Sequence, residues 1–485
     1  MMPLDLGAVL TGTGGELRGS LPLDTRFTAI ERDARKVQPG HLFIAIHGER
    51  FDGHQFVGDA AANHATAALV REDWADRQSS LPLPVIVVDE PVVALQRLAA
   101  AWRKTLDLTV IGVTGSVGKS STKEVIASVL AGKFGTYRSP GNLNNEIGLP
   151  LSLLELGETT EIAVLEMGGA YATGELALLA SIAKPRIAVV TNVHAVHLER
   201  MGSIEAIAET KAELVDAVPA DGFAVLNGDD QRVRAMASRC AGRVLTYGLD
   251  EANDIRATKV ETEALEGTSF WLHVEGEERF HVKVPLVGGH AVELALAAIA
   301  VGHGLGMYIA EMLEGFKDPA IQIRLLVLPG PGGSRIIDDT YNASTPSMLS
   351  ALGLLASLKP RRAIAVLGDM RELGDLAEDE HRVIGRRAGQ VADHVVTYGT
   401  LARLIGEEAS TIGRGVDGDP PSVTSFDLDQ REELVAFLLG ELREGDVVLL
   451  KGSRGLRMEE MVFALRADID AEPGSQSDLA PTPQR

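Results

Sequence analysis

The stretch Val110–Thr122, "VIGVTGSVGKSST", sets Gly115 and Gly118 three residues apart and follows them with Lys119 and Ser120. Those residue types in that order suit phosphate chemistry. Glycines let the backbone turn sharply, so that N–H groups such as those of Ser116 and Val117 can wrap an anion. A helix beginning near Lys119 points its positive end at the same anion. Lys119 can then reach a β/γ-phosphate pair, and the Ser120 hydroxyl, with Ser121 next to it, is placed to sit on Mg2+. The strict phosphate-loop pattern has glycine where this chain has Val113, so the match is to the variant T-G-x-x-G-K-S. The nucleotide this implies is ATP. Three later residues could act on it. Glu166 closes the apolar run "IAVL", His197 lies just past "RIAVVTNV", and Lys211 stands in "ETKAEL" between Glu209 and Glu213. Taken singly, they read as a cap or solvated carboxylate, a hydrogen-bonded loop histidine, and an exposed, charge-neutralised helix face.

Elements that could position these residues are visible in the pattern. "LTVIGV" predicts a β-branched strand and "KSSTKEVIASVLAGKFG" a helix, with Val125, Ile126, Val129 and Leu130 at helical spacing and Gly132 and Gly135 available to end it. Strands are also predicted in "EIAVLEMG", "RIAVVTNV" and "GFAVLNGDD", separated by helical or loop segments. Strands alternating with helices imply a mostly parallel sheet with covered faces. "DIRATKVE", "SFWLHVE" and "RFHVKVPLV" alternate apolar with polar residues and predict an antiparallel appendage. From Asp318 the strand–helix rhythm returns in "SRIIDDTYN", "RAIAVLGDM", "HVVTYG" and "DVVLLKGSR". Ahead of the phosphate loop, "GHLFIAI" and "LPVIVVD" read as buried strands, and "DAAANHATAALV" and "PVVALQRLAAAWRKTL" as helices. The expected fold class is α/β in three domains: a small α/β unit at 1–105, a central phosphate-loop parallel-sheet domain at 106–317, and a Rossmann-like α/β domain at 318–470. The Pro/Ser/Gln-rich tail at 471–485 is expected to be disordered.

The whole chain narrows the function further. Its 485 residues are too many for one core. With Lys+Arg 46 against Asp+Glu 68, a net charge of −22 argues against nonspecific binding to nucleic acid or an anionic membrane. A single cysteine, Cys240, excludes an internal disulfide framework and fits a reducing compartment; it reads as a small buried hydrophobe. "MMPLDLGAVLTG" lacks the basic start of a signal peptide. The longest apolar run, Leu294–Ala310, contains His303 and reads as a buried helix, being shorter than the roughly 20 residues of a bilayer span. A cytoplasmic protein is expected.

Taken together, "TGSVGKSSTKE", "GNLNNEIGLPLSLL", "LEMG", "TNVHAVHLERMGS", "ETKAEL", "IDDTYNASTPSM", "VLGDMRELG" and "LLKGSRG" occur in the order found in Mur ligases, and the chain resembles that family from about residue 25 to about 466. "DARKVQPGHLFIAIHGERFDGHQF" looks like the uridine-diphosphate-binding domain of the branch that adds D-Ala-D-Ala. The resemblance implies an ATP-dependent amide ligation. ATP phosphorylates the terminal carboxylate of a UDP-N-acetylmuramoyl-tripeptide, and the amine of D-Ala-D-Ala displaces phosphate from the acyl phosphate. It implies catalytic roles for Lys119, Glu166, His197 and Lys211. One Mg2+ would lie at Ser120 and a second at Glu166 and His197, with Lys211 carbamylated by CO2 into a further acidic ligand. Asn144 and Asn145 would bond the substrate or phosphate region, and Asp33 and Arg35 the UDP-sugar. Arg324, Asp339, Tyr341 and Asn342 would contact the nucleotide. Lys451, Ser453 and Arg454 would meet the phosphates or the dipeptide when the third domain closes. The enzyme would be monomeric.

Some positions depart from the family pattern. H-N-x-x-N-x-L-A-A becomes "HAVELALAA", with Ala291 and Leu294 replacing two amides expected near adenine. Ala34 replaces the serine of D-S-R, Ile323 the glycine before Arg324, and His194 and Ala195 a Gly-Glu pair. None removes a phosphate or metal ligand. Two other readings therefore stand beside the first: a nucleotide-binding paralogue that has lost turnover, and the family member adding the third peptide residue, whose D-N-P-R signature is missing here.

Overall fold

The computed structural model describes residues 4–48, 51–169, 172–196, 198–263, 267–287, 290–318, 326–413 and 418–471. His197, Arg324, Ile323 and the tail beyond 471 lie outside these. The chain divides into two compact units: Met1–Val193 with Ile204–Asp254 and Ala297–Gly315, and His194–Ser203 with Ile255–Leu296 and Phe316–Arg485.

The first unit holds a small antiparallel pair, Leu4–Asp5 with Arg26–Phe27, and two larger sheets. Near the N-terminus, Glu16–Arg18, Val85–Val88, Ala67–Arg71, His41–Ile44 and Ala29–Glu31 lie side by side, parallel except for the first pair. "PVVALQRLAAAWRKTL" is the helix Pro91–Thr105, as its spacing predicts. "DAAANHATAALV" is not one helix. The helix Val57–Ala62 stops, His64 takes a left-handed φ of 63°, and Ala67–Arg71 continues as a buried strand. Alanines satisfy either period, so the β-branched and burial demands of the sheet decide the second half.

The second sheet has six parallel strands in the order Arg243–Gly248, Phe223–Asn227, Ile187–Val190, Thr109–Thr114, Ile162–Glu166 and Thr136–Arg138. Every residue of Ile162–Glu166, Ile187–Val190 and Phe223–Asn227 is buried, which explains their continuous apolar runs. The helix Lys119–Ala131 buries Val125, Ile126, Val129 and Leu130, each contributing about 1.5–3 kcal/mol from apolar burial.

The second unit carries the three antiparallel strands Ile255–Glu263, Gly267–Val274 and Phe280–Val284. It also holds a sheet ordered Leu326–Pro329, Arg335–Asp338, Asp446–Lys451, Arg362–Gly368, His394–Tyr398 and Ser422–Phe426, antiparallel only at its first pair. Apolar clusters on both faces, such as Leu352, Leu367 and Ile384 on one and Val366, Leu434 and Met461 on the other, complete the α/β layering. Two expectations need correction. The run Leu294–Ala310 is not one helix: Ala291–Gly304 ends, Gly306 turns with φ 76°, and Ile309–Gly315 begins a second. Cys240 is half-buried rather than buried. No helix among the described residues is long and apolar enough to cross a membrane.

Candidate active site

Three adjacent parallel strands deliver the phosphate loop and its neighbours to one edge. Val113 pairs in register with Glu166, and Thr114 with Val190. The loop after Thr114, the Glu166 carboxylate and the segment Thr191–Asn192 thus leave the sheet together at its carboxyl end, where open α/β sheets bind ligands.

Gly115 and Gly118 have φ of 148° and 83°, which L-residues rarely adopt. A Cβ on Gly115 would overlap Oγ1 of Thr191. The loop is braced from that side. The Ser116 N–H donates to the Asn192 carbonyl at 2.9 Å, and the Val117 N–H to Asn192 Oδ1 at 2.8 Å. The Val117 carbonyl accepts from Asn192 Nδ2 at 3.1 Å and Thr191 Oγ1 at 2.9 Å. Two of the N–H groups expected to face an anion therefore serve the brace. Gly115→Ala should weaken ADP binding about tenfold or more, measured by calorimetry, because strain of roughly 1–3 kcal/mol adds to the clash; unchanged affinity would show that the loop shape is not what binds the nucleotide.

Lys119 opens its helix behind the N-cap Gly118, and its Nζ donates to the carbonyls of Gly115 at 2.9 Å and Ser116 at 3.2 Å. Burial pushes its pKa down, and Glu166 opposes the shift. Ser120 is buried and donates through Oγ to Glu166 Oε2 at 2.5 Å; Ser121 follows on the same first turn, half-buried. Glu166 is 2% exposed, so the solvated reading fails. Its other oxygen accepts from Asn144 Nδ2 at 2.8 Å, and its own N–H donates to Ser139 Oγ at 3.1 Å. Asn145 serves locally, with Oδ1 accepting from the N–H groups of Ile147 and Gly148 at the start of the helix Gly148–Leu154.

Lys211 contradicts the exposed-face reading. It is 2% exposed on the helix Ile204–Asp216, and Nζ donates to the Gly169 carbonyl at 3.4 Å. Its flanking glutamates bond elsewhere, and the charge of Glu213, with Glu175, only partly offsets its burial. Glu209 pairs with Arg239, and Glu213 accepts from the N–H groups of Gly174 and Ala177. Burial, and then the charge of Lys119, push the Lys211 pKa down to about 7.

Asp33 and Arg35 stand on the N-terminal sheet's surface turn Ala34–Lys36 and pair with each other, Nε to Oδ1 at 2.9 Å and Nη2 to Oδ2 at 2.8 Å. The Arg35 bonds hold the Asp33 carboxyl down at about 2. In the second unit, the paired ends of Arg335–Asp338 and Asp446–Lys451 gather the other expected residues. Buried Lys451 places Nζ 2.8 Å from Asp339 Oδ2 and donates to the Asn342 carbonyl at 2.8 Å. The Arg454 guanidinium lies 5.1 Å from the Tyr341 ring centroid, and Ser453 Oγ accepts from the Arg371 N–H at 2.8 Å. His197 and Arg324 lie outside the described residues.

Ser120 and Glu166 supply hard oxygen donors, buried and within bonding distance of each other, which suits Mg2+. Among the described residues, no three His, Cys, Asp or Glu side chains group as a metal cage. Sequence reasoning missed Thr191 and Asn192, although "TN" directly after a buried strand at the ligand edge was a usable signal. It also missed Lys123 and Ser139, which the pattern did not single out.

Comparison with known proteins adds to this geometry. Residues 26–103 match the model of the Mur ligase family catalytic domain, 113–302 the Mur ligase middle domain, and 323–454 the Mur ligase glutamate ligase domain. The UDP-N-acetylmuramoyl-tripeptide–D-alanyl-D-alanine ligase of Bacillus subtilis is 38% identical over 441 residues, covering 89% of this chain and 92% of that one. The chain belongs to the Mur ligase family. Among solved structures, the MurF of Acinetobacter baumannii superposes with a TM-score of 0.84 at 29% identity, covering 96% of this chain and 99% of that one. The MurF ligase of Thermotoga maritima in complex with ADP gives 0.74 at 30% identity, covering 91% and 98%. This Mur ligase therefore has the three-domain α/β fold expected from its sequence, with the phosphate loop inside the middle-domain match.

Proposed function

We propose that this Mur ligase joins D-Ala-D-Ala to UDP-N-acetylmuramoyl-tripeptide at the expense of ATP, releasing ADP and phosphate, as a monomeric cytoplasmic step of peptidoglycan precursor synthesis. The observation that carries the reading is the half-buried Lys119 beside the buried Ser120 and Glu166 at one sheet edge, in a chain 38% identical to a ligase named for that reaction. The proposed division of labour is 1–105 for the UDP-sugar, 106–317 for ATP and 318–470 for the nucleotide's far side and the dipeptide.

A carboxylate becomes a useful electrophile once one of its oxygens can leave as phosphate. A tripeptide carboxylate oxygen attacks the γ-phosphorus, and ADP departs. The D-Ala-D-Ala amine then attacks the acyl carbon, loses a proton, and phosphate departs. Two anions must approach in the first step, and the Lys119 cation would offset their repulsion. Ser120 would hold one Mg2+ and Glu166, close enough to Ser120 to serve both ions, would join His197 and a carbamate on Lys211 at a second, and the metal would further offset the charge. The lowered pKa of Lys211 supports the carbamate, because only the neutral amine adds to CO2.

Phosphate release should require both the UDP-tripeptide and D-Ala-D-Ala. Tight ATP binding with no release under any combination would overturn the ligase in favour of a non-catalytic paralogue, a reading favoured by apolar Ala291 and Leu294 where amides are expected. Running the assay with diaminopimelate- and lysine-containing tripeptides identifies the preferred third residue.

A further inference from the structure

We propose that Lys123 is a positioning residue that sets the affinity of the Glu166 site for its divalent ion. This rests on the reading of Glu166 and Ser120 as Mg2+ donors.

Lys123 is 0% exposed, one turn beyond Lys119 and Ser120 on the same helix. An ammonium stripped of water persists only where oxygens replace its hydration. Three do so: Nζ donates to the carbonyl of Ser139 at 2.5 Å and of Gly141 at 3.1 Å, and lies 3.1 Å from Glu124 Oε1. Glu124 is held by Arg138 Nε at 3.0 Å, so the pair ties the helix to the strand Thr136–Arg138 as well.

The fixed segment leads straight to Glu166. Ser139 donates its N–H to the Val164 carbonyl and accepts the Glu166 N–H on its hydroxyl. Three residues past Gly141, Asn144 donates to Glu166 Oε1 and accepts the Gly168 N–H on its carbonyl at 2.7 Å. Glu166 is thus gripped between Ser120 on the helix and Asn144 on the loop, and Lys123 is the bond that joins helix to loop. A divalent ion needs its oxygen donors at fixed separation, which this cross-link supplies without contacting the ion.

The test uses full-length Lys123→Met, with Ser139→Ala as a second variant that keeps the lysine. Mn2+ binding in the presence of a non-hydrolysable ATP analogue is followed by electron paramagnetic resonance, and the Mg2+ dependence of kcat is measured alongside. Both variants should weaken Mn2+ about tenfold and raise the Mg2+ midpoint in step. Excess Mg2+ should largely restore kcat, with KM for the UDP-substrate within about twofold of the parent. Unchanged Mn2+ affinity in a folded variant, or a kcat loss that Mg2+ does not restore, would overturn the proposal. Glu166→Gln separates the two claims. If it leaves Mn2+ affinity intact, the metal reading itself fails; if it abolishes affinity while Lys123→Met and Ser139→Ala do not, only the role of Lys123 fails. Should Lys123→Met not fold, Lys123→Gln, whose shorter neutral side chain breaks the same cross-link to the Ser139 and Gly141 carbonyls, decides in its place, with the same loss of Mn2+ affinity expected and an unchanged affinity overturning the proposal.

Discussion

Lys119→Ala should lower kcat by about 10²–10³-fold or more while the Kd for UDP-N-acetylmuramoyl-tripeptide stays within about twofold. The loss is large because Lys119 is the cation of the phosphate loop, half-buried and partly desolvated, so its field is less screened than that of a surface lysine. Substrate affinity is spared because Asp33 and Arg35, proposed to meet the UDP-sugar, stand on a different sheet from the loop. Thermal unfolding distinguishes this from misfolding. The desolvation of this ammonium is opposed by its bonds to the Gly115 and Ser116 carbonyls and by the charge of Glu166, so its removal should shift Tm by only a few degrees. Equal loss of turnover and UDP-substrate affinity, measured by stopped assay and calorimetry, would mean that the loop does not have the role assigned to it.

Lys211→Ala should cost about 10²-fold or more in kcat, with partial recovery on adding short carboxylic acids that stand in for the carbamate. No recovery at any concentration would remove the carbamate role. The pH dependence has a defined direction. An ordinary lysine amine at 10.5 is almost wholly protonated at neutrality, whereas one at about 7 is near half neutral there. Carbon-13 bicarbonate should therefore label Lys211 well above pH 7 and progressively less as pH falls through it. The same shift sets a stability trend in CO2-free buffer. The native pKa lies below the unfolded one, so between about 7 and 10.5 the unfolded chain binds the extra proton and stability rises with pH. Below about 7 both states are protonated and the slope vanishes. Urea titrations at pH 7.5 and 9 should show the gain in the parent and its loss in Lys211→Ala.

Features whose cause is local were readable from the sequence. The run around Thr109–Thr114 must be a buried strand, and glycines at 115 and 118 before Lys-Ser admit few alternatives. Features created by packing were not readable. Lys211 looked solvated because its neighbours in sequence are acidic, yet those acids serve Arg239 and a helix start elsewhere. Lys123 sits among helix formers without a signature, and its partners arrive from a loop 16 and 18 residues further on. "DAAANHATAALV" failed for a different reason, since alanine carries no period by which a helix can be told from a covered strand.

The brace on the phosphate loop also bears on how the chain is made. Val117 is held by residues 74 and 75 positions later, so a ribosome adding roughly 5–20 residues per second needs several more seconds to supply them. Until then Ile162–Glu166 can already pair with Thr109–Thr114, but the glycine turn lacks the Thr191 and Asn192 bonds that brace it. A chain interrupted before Thr191 would carry the glycine turn without those bonds.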